Sequence, residues 1–264
     1  MMMKRKVIYS VRSHVGLRRA NNEDNLFADG VILPQKAGNR PFSLDGVAGI
    51  PSIFAVCDGM GGEEAGEVAS LAAMEALQAE KDTLYRTSPK ELSQAVQKFA
   101  ERAHRSIQAH TEGTRSGATL ALAAVTASGA LCFNLGDSRI YCMQAGHFRQ
   151  VTYDHTVISD QLRRGIRPTE GAQPDRRLTR CIGIGTSQAV EAYPAIKGDF
   201  RLLICSDGLS GMVSDDKLAS ILFAAAQPSI AADKLVQAAL EGGGQDNITA
   251  IVLDANGVGK FRFL

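Results

Sequence analysis

The stretch 118–152 constrains the fold more than any other part of the chain. It holds four short runs rich in apolar and β-branched residues, at 118–126, 130–134, 140–143 and 148–152. Ser128-Gly129 and Gln144-Ala145-Gly146 make hairpin-sized joints between them. A parallel pair needs a crossover of roughly a dozen residues, so these neighbours pair antiparallel. Further strands are predicted at 6–11, 26–33, 53–57, 190–195, 202–205 and 248–253. Helical spacing marks 63–81, with Ala65, Val68, Ala69, Ala72, Ala76 and Leu77 on one stripe. Ser88-Pro89-Lys90-Glu91 then reads as an N-cap, a first helical position and a capping box. Leu92, Ala95, Val96, Phe99, Ala103 and Ile107 give the buried face of that second helix. Shorter helices are predicted at 155–164, at 215–225 behind Ser214 and at 230–240 behind Ser229. The Gly-, Pro- and Asn-rich stretch 34–51 reads as a surface loop. Strands and helices do not alternate strictly, so the expected class is α+β: two antiparallel sheets with helices packed outside, in one domain over 1–264.

With 264 residues the chain can bury roughly 70% of its unfolded surface, so it needs no staples. Lys+Arg 29 against Asp+Glu 28 leaves a net charge of +1, which excludes nucleic-acid or membrane binding by bulk charge. No apolar run is long enough to span a membrane. Only Val7-Ile8-Tyr9 follows the basic start, too little for a secretory signal core. Cys57, Cys132, Cys142, Cys181 and Cys205 are odd in number and have no C-x-x-C spacing. They read as reduced core residues of a cytoplasmic protein, with no zinc site.

The acidic residues fall in a pattern. Asp58 follows the run 53–57, Asp207 follows 202–205, Asp137 follows 130–134, and Asp246 precedes 248–253. Glu23-Asp24 precedes the run that begins at Leu26. Any one of these is an ordinary turn or a solvated pair. Together they place six carboxylates at strand ends. At one rim they would repel, by about 4 kcal/mol for two charges 4 Å apart at an effective dielectric near 20. Divalent cations relieve that, and an oxygen-only donor set suits Mn2+ or Mg2+. Gly59 has no side chain, so its carbonyl can approach a metal. Arg19 lies four residues before Glu23; taken alone it is a surface arginine, and beside a metal cluster its planar fork fits phosphate oxygens.

Eight motifs occur in order: Arg19-Ala-Asn-Asn22-Glu23-Asp24, Asp58-Gly59-Met60-Gly61-Gly62, Ser116-Gly117-Ala118-Thr119, Gly136-Asp137-Ser138-Arg139, Asp154-His155-Thr156, Leu178-Thr179-Arg180-Cys181-Ile182-Gly183, Ser206-Asp207-Gly208-Leu209 and Asp246-Asn247-Ile248-Thr249. From about residue 6 to 254 the chain resembles the metal-dependent serine/threonine phosphatases of the protein phosphatase 2C type, in their compact bacterial branch. The resemblance implies a four-layer α-β-β-α sandwich with two Mn2+ or Mg2+ ions at one edge, and a weaker third. By motif position, Asp58 resembles the bridging carboxylate, Asp207 and Asp246 further ligands of the first metal, and Glu23 with the Gly59 carbonyl ligands of the second. Asp24 resembles an acid that orients metal-bound waters, Asp137 a third-metal ligand, and Arg19 the phosphate-binding arginine. Water activated between the cations would attack phosphorus in line. Met60 stands where eukaryotic members often carry a histidine proposed as general acid, so a metal-bound water is the implied acid here.

The resemblance further implies phosphorylated proteins as partners, a serine/threonine kinase acting on the same substrates, and a monomer working in cytoplasmic signalling. The stretch 155–180 resembles the family's flap, and Arg163, Arg164, Arg167, Arg176, Arg177 and Arg180 make it basic. His155 reads as structural, and His14, His104, His110 and His147 as surface or helix residues. Two other readings stand beside an active protein phosphatase: a non-catalytic member that binds a kinase or phosphoprotein, and a phosphatase of small phosphoesters. Loss of a metal-site aspartate would favour the first; none is missing.

Overall fold

The computed structural model describes residues 6–34, 40–61, 65–112, 114–167 and 173–256. In chain order these form β1 (Lys6–His14), β2 (Asp24–Ala28), β3 (Val31–Ile32), β4 (Phe42–Ala48), β5 (Ser52–Met60), α1 (Ala65–Arg86), α2 (Leu92–His110), β6 (Gly117–Ala118), β7 (Leu120–Thr126), β8 (Gly129–Leu135), β9 (Arg139–Gln144) and β10 (His147–Gln150). They continue with α3 (Val157–Arg163), β11 (Glu191–Ala192), β12 (Phe200–Cys205), α4 (Asp207–Ser210), α5 (Asp215–Ala224), α6 (Pro228–Glu241) and β13 (Ile248–Asn256).

One sheet runs β10-β9-β12-β13-β1-β4 and the other β11-β8-β7-β5-β2-β3, with β6 paired to β5. All pairings are antiparallel. The central strands are apolar on both faces, so each face needs cover. In β13, Ile251, Leu253 and Ala255 enter a core shared with Leu26, Phe54, Val56 and Leu202, between the sheets. Ala250 and Val252 point the other way, under Leu218, Leu222, Leu235 and Ala239 of α5 and α6. On the second sheet Phe27, Ile53, Ala55 and Cys57 pack under Ala69, Leu77, Val96 and Phe99 of α1 and α2. Three apolar layers between four structural layers make the expected α-β-β-α sandwich. No helix among the described residues is long and apolar enough to cross a membrane. All five cysteines are free and buried.

Several local expectations are corrected. The stretch 34–51 is not all loop, because β4 adds an edge strand to β1. Phe42 and Leu44 lean on the inter-sheet core while Ser43, Asp45 and Val47 face out. A Cβ on Gly46 would lie 2.5 Å from the Tyr9 ring, so glycine is needed there. Residues 35–39 of that stretch lie outside the described residues. The run 26–33 is two strands, not one. Asp29 and Gly30 both take positive φ (48° and 101°), the geometry of a tight hairpin turn. Thr119 interrupts the run 118–126, where its Oγ1 accepts the Asp58 N–H at 2.9 Å.

Among the helices, Ser88 does not cap α2. Its hydroxyl donates to Glu91 Oε2 at 2.7 Å, and Glu91 is the N-cap. Pro228, not Ile230, opens α6. The first helix runs on past 81 to Arg86, while positions 63 and 64 lie outside the described residues. The third helix starts at Val157, because Thr156 caps it by accepting the Ser159 N–H. Only Glu191–Ala192 of 190–195 is strand. His104 is the helix residue allowed for, on the buried side of α2, where Nδ1 accepts the Gly183 N–H at 3.0 Å.

Candidate active site

Strand register gathers the acidic residues from both sheets. Asp24 opens β2 directly opposite Asp58 near the end of β5. On the facing sheet Cys205, which ends β12, pairs with Ala250 of β13, so Asp207 and Asp246 flank the same edge. Asp137 sits in the turn between β8 and β9. Gly208 permits the tight approach of α4 to β13, since a Cβ there would meet the Asn247 carbonyl oxygen at 2.0 Å.

The segment carrying Arg19 and Glu23 is irregular, and Asn247 pins it. Asn247 Nδ2 donates to the Val15 and Asn21 carbonyls, each at 2.9 Å, and Oδ1 accepts the Glu23 N–H at 2.7 Å. Glu23 in turn offers its carbonyl to the Gly59 N–H at 3.1 Å. Arg19 Nη2 donates to Asp246 Oδ2 at 2.7 Å, and Nη1 lies 3.6 Å from Glu23 Oε2. The guanidinium is half exposed and lies across the mouth of the acidic rim.

Burial and mutual repulsion act on these acids together. Burial, with Asp207 and Asp246 adding, pushes Asp24 up to about 8 despite hydrogen bonds from Thr249 and Ser206. Burial, then Asp207 and Asp154, pushes Asp137 up to about 7. Burial and neighbouring carboxylates raise Asp58 well above the ordinary range, and burial with Asp246 raises Asp207 as well. Burial also raises Glu23, against the pull of Arg19.

The donor set fits hard divalent cations. Asp24 Oδ1 and Asp207 Oδ1 are buried with no hydrogen-bond partner, a costly state that a cation or its water relieves. A Cβ on Gly66, in the first turn of α1, would lie 2.7 Å from Glu23 Oε1 and 3.0 Å from the Gly59 carbonyl oxygen. Those two oxygens therefore converge beside a position that must stay a glycine. Among the described residues no three acidic, histidine or cysteine side chains close around a single point. The ligand assignment thus rests on the shared rim, the orphaned oxygens and the Glu23–Gly59 cradle. Gly66, Asn247 as a pin, and Ser206, whose hydroxyl donates to Asp24 Oδ2 at 2.7 Å, were not singled out as site residues from the sequence. The Ser206-Asp207 and Asp246-Asn247 adjacencies were the available signal. Met60 is half-buried and carries no proton to donate.

Residues 13–248 match the family model described as Protein phosphatase 2C. The chain belongs to the protein phosphatase 2C family. This phosphatase is 32% identical over 260 residues to the serine/threonine phosphatase stp of Listeria welshimeri, spanning 95% of this chain and 97% of that protein. The solved serine/threonine phosphatase PstP/Ppp of Mycobacterium tuberculosis shares 28% identity at a TM-score of 0.74, over 95% of this chain and 99% of that one. The catalytic domain of PstP solved in complex with 2 manganese ions shares 30% identity at a TM-score of 0.70, with the same coverage. The phosphatase is a metal-dependent serine/threonine protein phosphatase, and the helix-flanked antiparallel sandwich is its family fold.

Proposed function

We propose that the chain, acting as one catalytic unit, hydrolyses phosphoserine and phosphothreonine in proteins through the acidic rim and Arg19. The orphaned Asp24 and Asp207 oxygens, at an edge built from both sheets, carry this reading. Asp58, Asp207 and Asp246 would hold one cation, Glu23 and the Gly59 carbonyl the other, and Asp137 with Asp207 a weaker third. When bound, Mn2+ or Mg2+ ions lower the pKa of water towards neutrality and screen the phosphoryl oxygens; the two manganese ions in PstP support a two-ion site. The chain's own residues do the rest. Asp24, braced by the Ser206 hydroxyl, orients water at the rim. Arg19, on an irregular segment pinned at Asn247, reaches over the mouth and offers a two-pronged donor to the equatorial phosphoryl oxygens. Thr119 fixes the Asp58 backbone from β6's end, so the central carboxylate cannot drift.

A serine/threonine kinase is the enzyme class that makes such substrates. Five buried free thiols support work in a reducing compartment, which we take to be the cytoplasm. Initial rates on phosphothreonine, phosphoserine and phosphotyrosine peptides, with Mn2+ and after exhaustive EDTA, test the assignment. Turnover of the first two, lost with EDTA and restored by Mn2+, is expected. Full activity after EDTA, or preference for phosphotyrosine, refutes it.

A further inference from the structure

α3 contributes no buried residue, so apolar packing does little to fix it. Its limb is tied instead to the returning limb. The Val157 and Ile158 N–H groups donate to the Arg177 and Asp175 carbonyls at 3.0 and 2.9 Å, and the Thr179 N–H to the His155 carbonyl at 2.9 Å. One carboxylate fastens both limbs to the sandwich. Glu191, on the edge strand β11, accepts from Arg163 Nη2 at 2.6 Å and from His155 Nε2 at 2.8 Å, with Arg180 Nη1 at 3.6 Å. Arg163 ends α3, Arg180 closes the returning limb, and His155 is the buried root of the first limb.

The surroundings reinforce this hub. The Gly136 N–H donates to His155 Nδ1 at 3.0 Å, which assigns the imidazole proton to Nε2, facing Glu191. The Arg163 guanidinium lies 4.5 Å above the Tyr153 ring, which rests against Tyr193 two positions beyond Glu191. Although burial opposes it, pairing with Arg163 and His155 holds the Glu191 carboxyl down at about 2, so it stays an anion.

The same two limbs wall a cavity of about 310 Å³ that opens onto Asp137 and Asp207. Ile158 and Ser159 from α3, with Pro174 and Arg176 from the returning limb, form the opposite wall. Rotation of α3 would reshape that wall and leave Asp137 and Asp207 in place, because β8 and α4 fix them. We propose that Glu191 is a positioning residue for polypeptide substrates: it sets the pose of the two limbs, and so how tightly the chain flanking the phosphorylated residue is held, without entering the phosphoryl chemistry. The proposal rests on the phosphatase reading above.

Steady-state kinetics at saturating Mn2+ on a phosphothreonine peptide and on p-nitrophenyl phosphate, which has no flanking chain, test it. Wild-type turnover of both substrates carries the phosphatase reading. The variants' peptide-to-small-ester ratio carries the role of Glu191, so the two fail separately. Glu191→Ala is expected to raise the peptide KM about tenfold or more with kcat within about twofold, and to leave both parameters for p-nitrophenyl phosphate within about twofold. Glu191→Gln keeps an acceptor oxygen for Arg163 and should recover part of the loss. Arg163→Ala leaves the His155–Glu191 bond in place, so it should reproduce the peptide-selective rise even where alanine at 191 upsets folding. Equal losses on both substrates, or an unchanged peptide KM in Arg163→Ala, overturn the proposal.

Discussion

Asn247→Ala should loosen the segment carrying Arg19 and Glu23 while removing no proposed metal ligand. Asn247 is only 3% exposed. It makes three good hydrogen bonds, to Val15, Asn21 and Glu23, at 2.9, 2.9 and 2.7 Å. At about 0.5–1.5 kcal/mol net for each bond, their loss costs roughly 3 kcal/mol. A protein of this size loses about 2–4 °C per kcal/mol, so Tm should fall by about 6–12 °C. Glu23 would also lose its register beside the Gly59 carbonyl, so the Mn2+ concentration for half-maximal activity should rise. Asn247→Asp is the sharper variant. It keeps the shape but turns a donor towards the Val15 and Asn21 carbonyls into an acceptor, so its cost should equal or exceed that of alanine. Thermal melts in EDTA and Mn2+ titrations of activity measure the two effects. A Tm within about 2 °C of wild type with an unchanged Mn2+ requirement would refute the pinning role.

Asp58→Asn or Asp207→Asn should cut turnover at least about 100-fold, yet leave the metal-free protein no less stable, because removing one buried carboxyl relieves the crowding of like charges there; near-normal turnover at saturating Mn2+ contradicts the assignment. Arg19→Ala removes a charge-assisted contact of roughly 1.5–3 kcal/mol, a loss of roughly 10- to 200-fold in kcat/KM, largely in KM, with Arg19→Lys recovering part. A shifted Mn2+ requirement instead would make Arg19 a structural partner of Asp246 and Glu23. Asp24 and Asp137, raised from 3.8 to about 8 and about 7, bind more protons folded than unfolded, so their stabilisation is present at low pH and lost as pH rises through those values. Stability in EDTA, read from Tm, should therefore fall from about pH 4 upward, by up to about 1.4 kcal/mol per pH unit for each group, and level off once pH passes about 7 to 8; saturating Mn2+ should flatten the slope, and a Tm that rises over that range refutes it.

The acidic rim was legible because an apolar run that stops at an aspartate carries its own boundary. Asp58 and Asp207 announce themselves at the end of such a run, and Asp246 just before one. The strand at 248–253 was equally readable as an apolar run, though which of its residues face the other sheet was not. β4 was hidden, because Asp45 and Gly46 break the composition of an edge strand whose outer face is wet. Glu191 gave no signal at all. Its partners are 28 and 36 residues distant, and β11 is two residues long, too short for any period. His104 is the helix residue the sequence allowed, but its burial was not legible, because the Gly183 backbone it meets is 79 residues away. Contacts of that range are set by packing, which no local pattern encodes.

The two halves of the acidic rim belong to different sheets: Asp24 and Asp58 to one, Asp207 and Asp246 to the other. What separates those sheets is a layer of side chains about 10 Å thick, with Phe54, Leu202 and Ile251 in its middle. A cation held from both sides is a clasp on the end of the sandwich, and its binding energy is added to the cohesion of that layer. The traffic runs in both directions. A side chain trimmed deep between the sheets, far from any phosphate, changes their spacing and so the span the clasp must bridge. With the proposed ligands holding the cation, the metal requirement would also gauge how well the interior is filled.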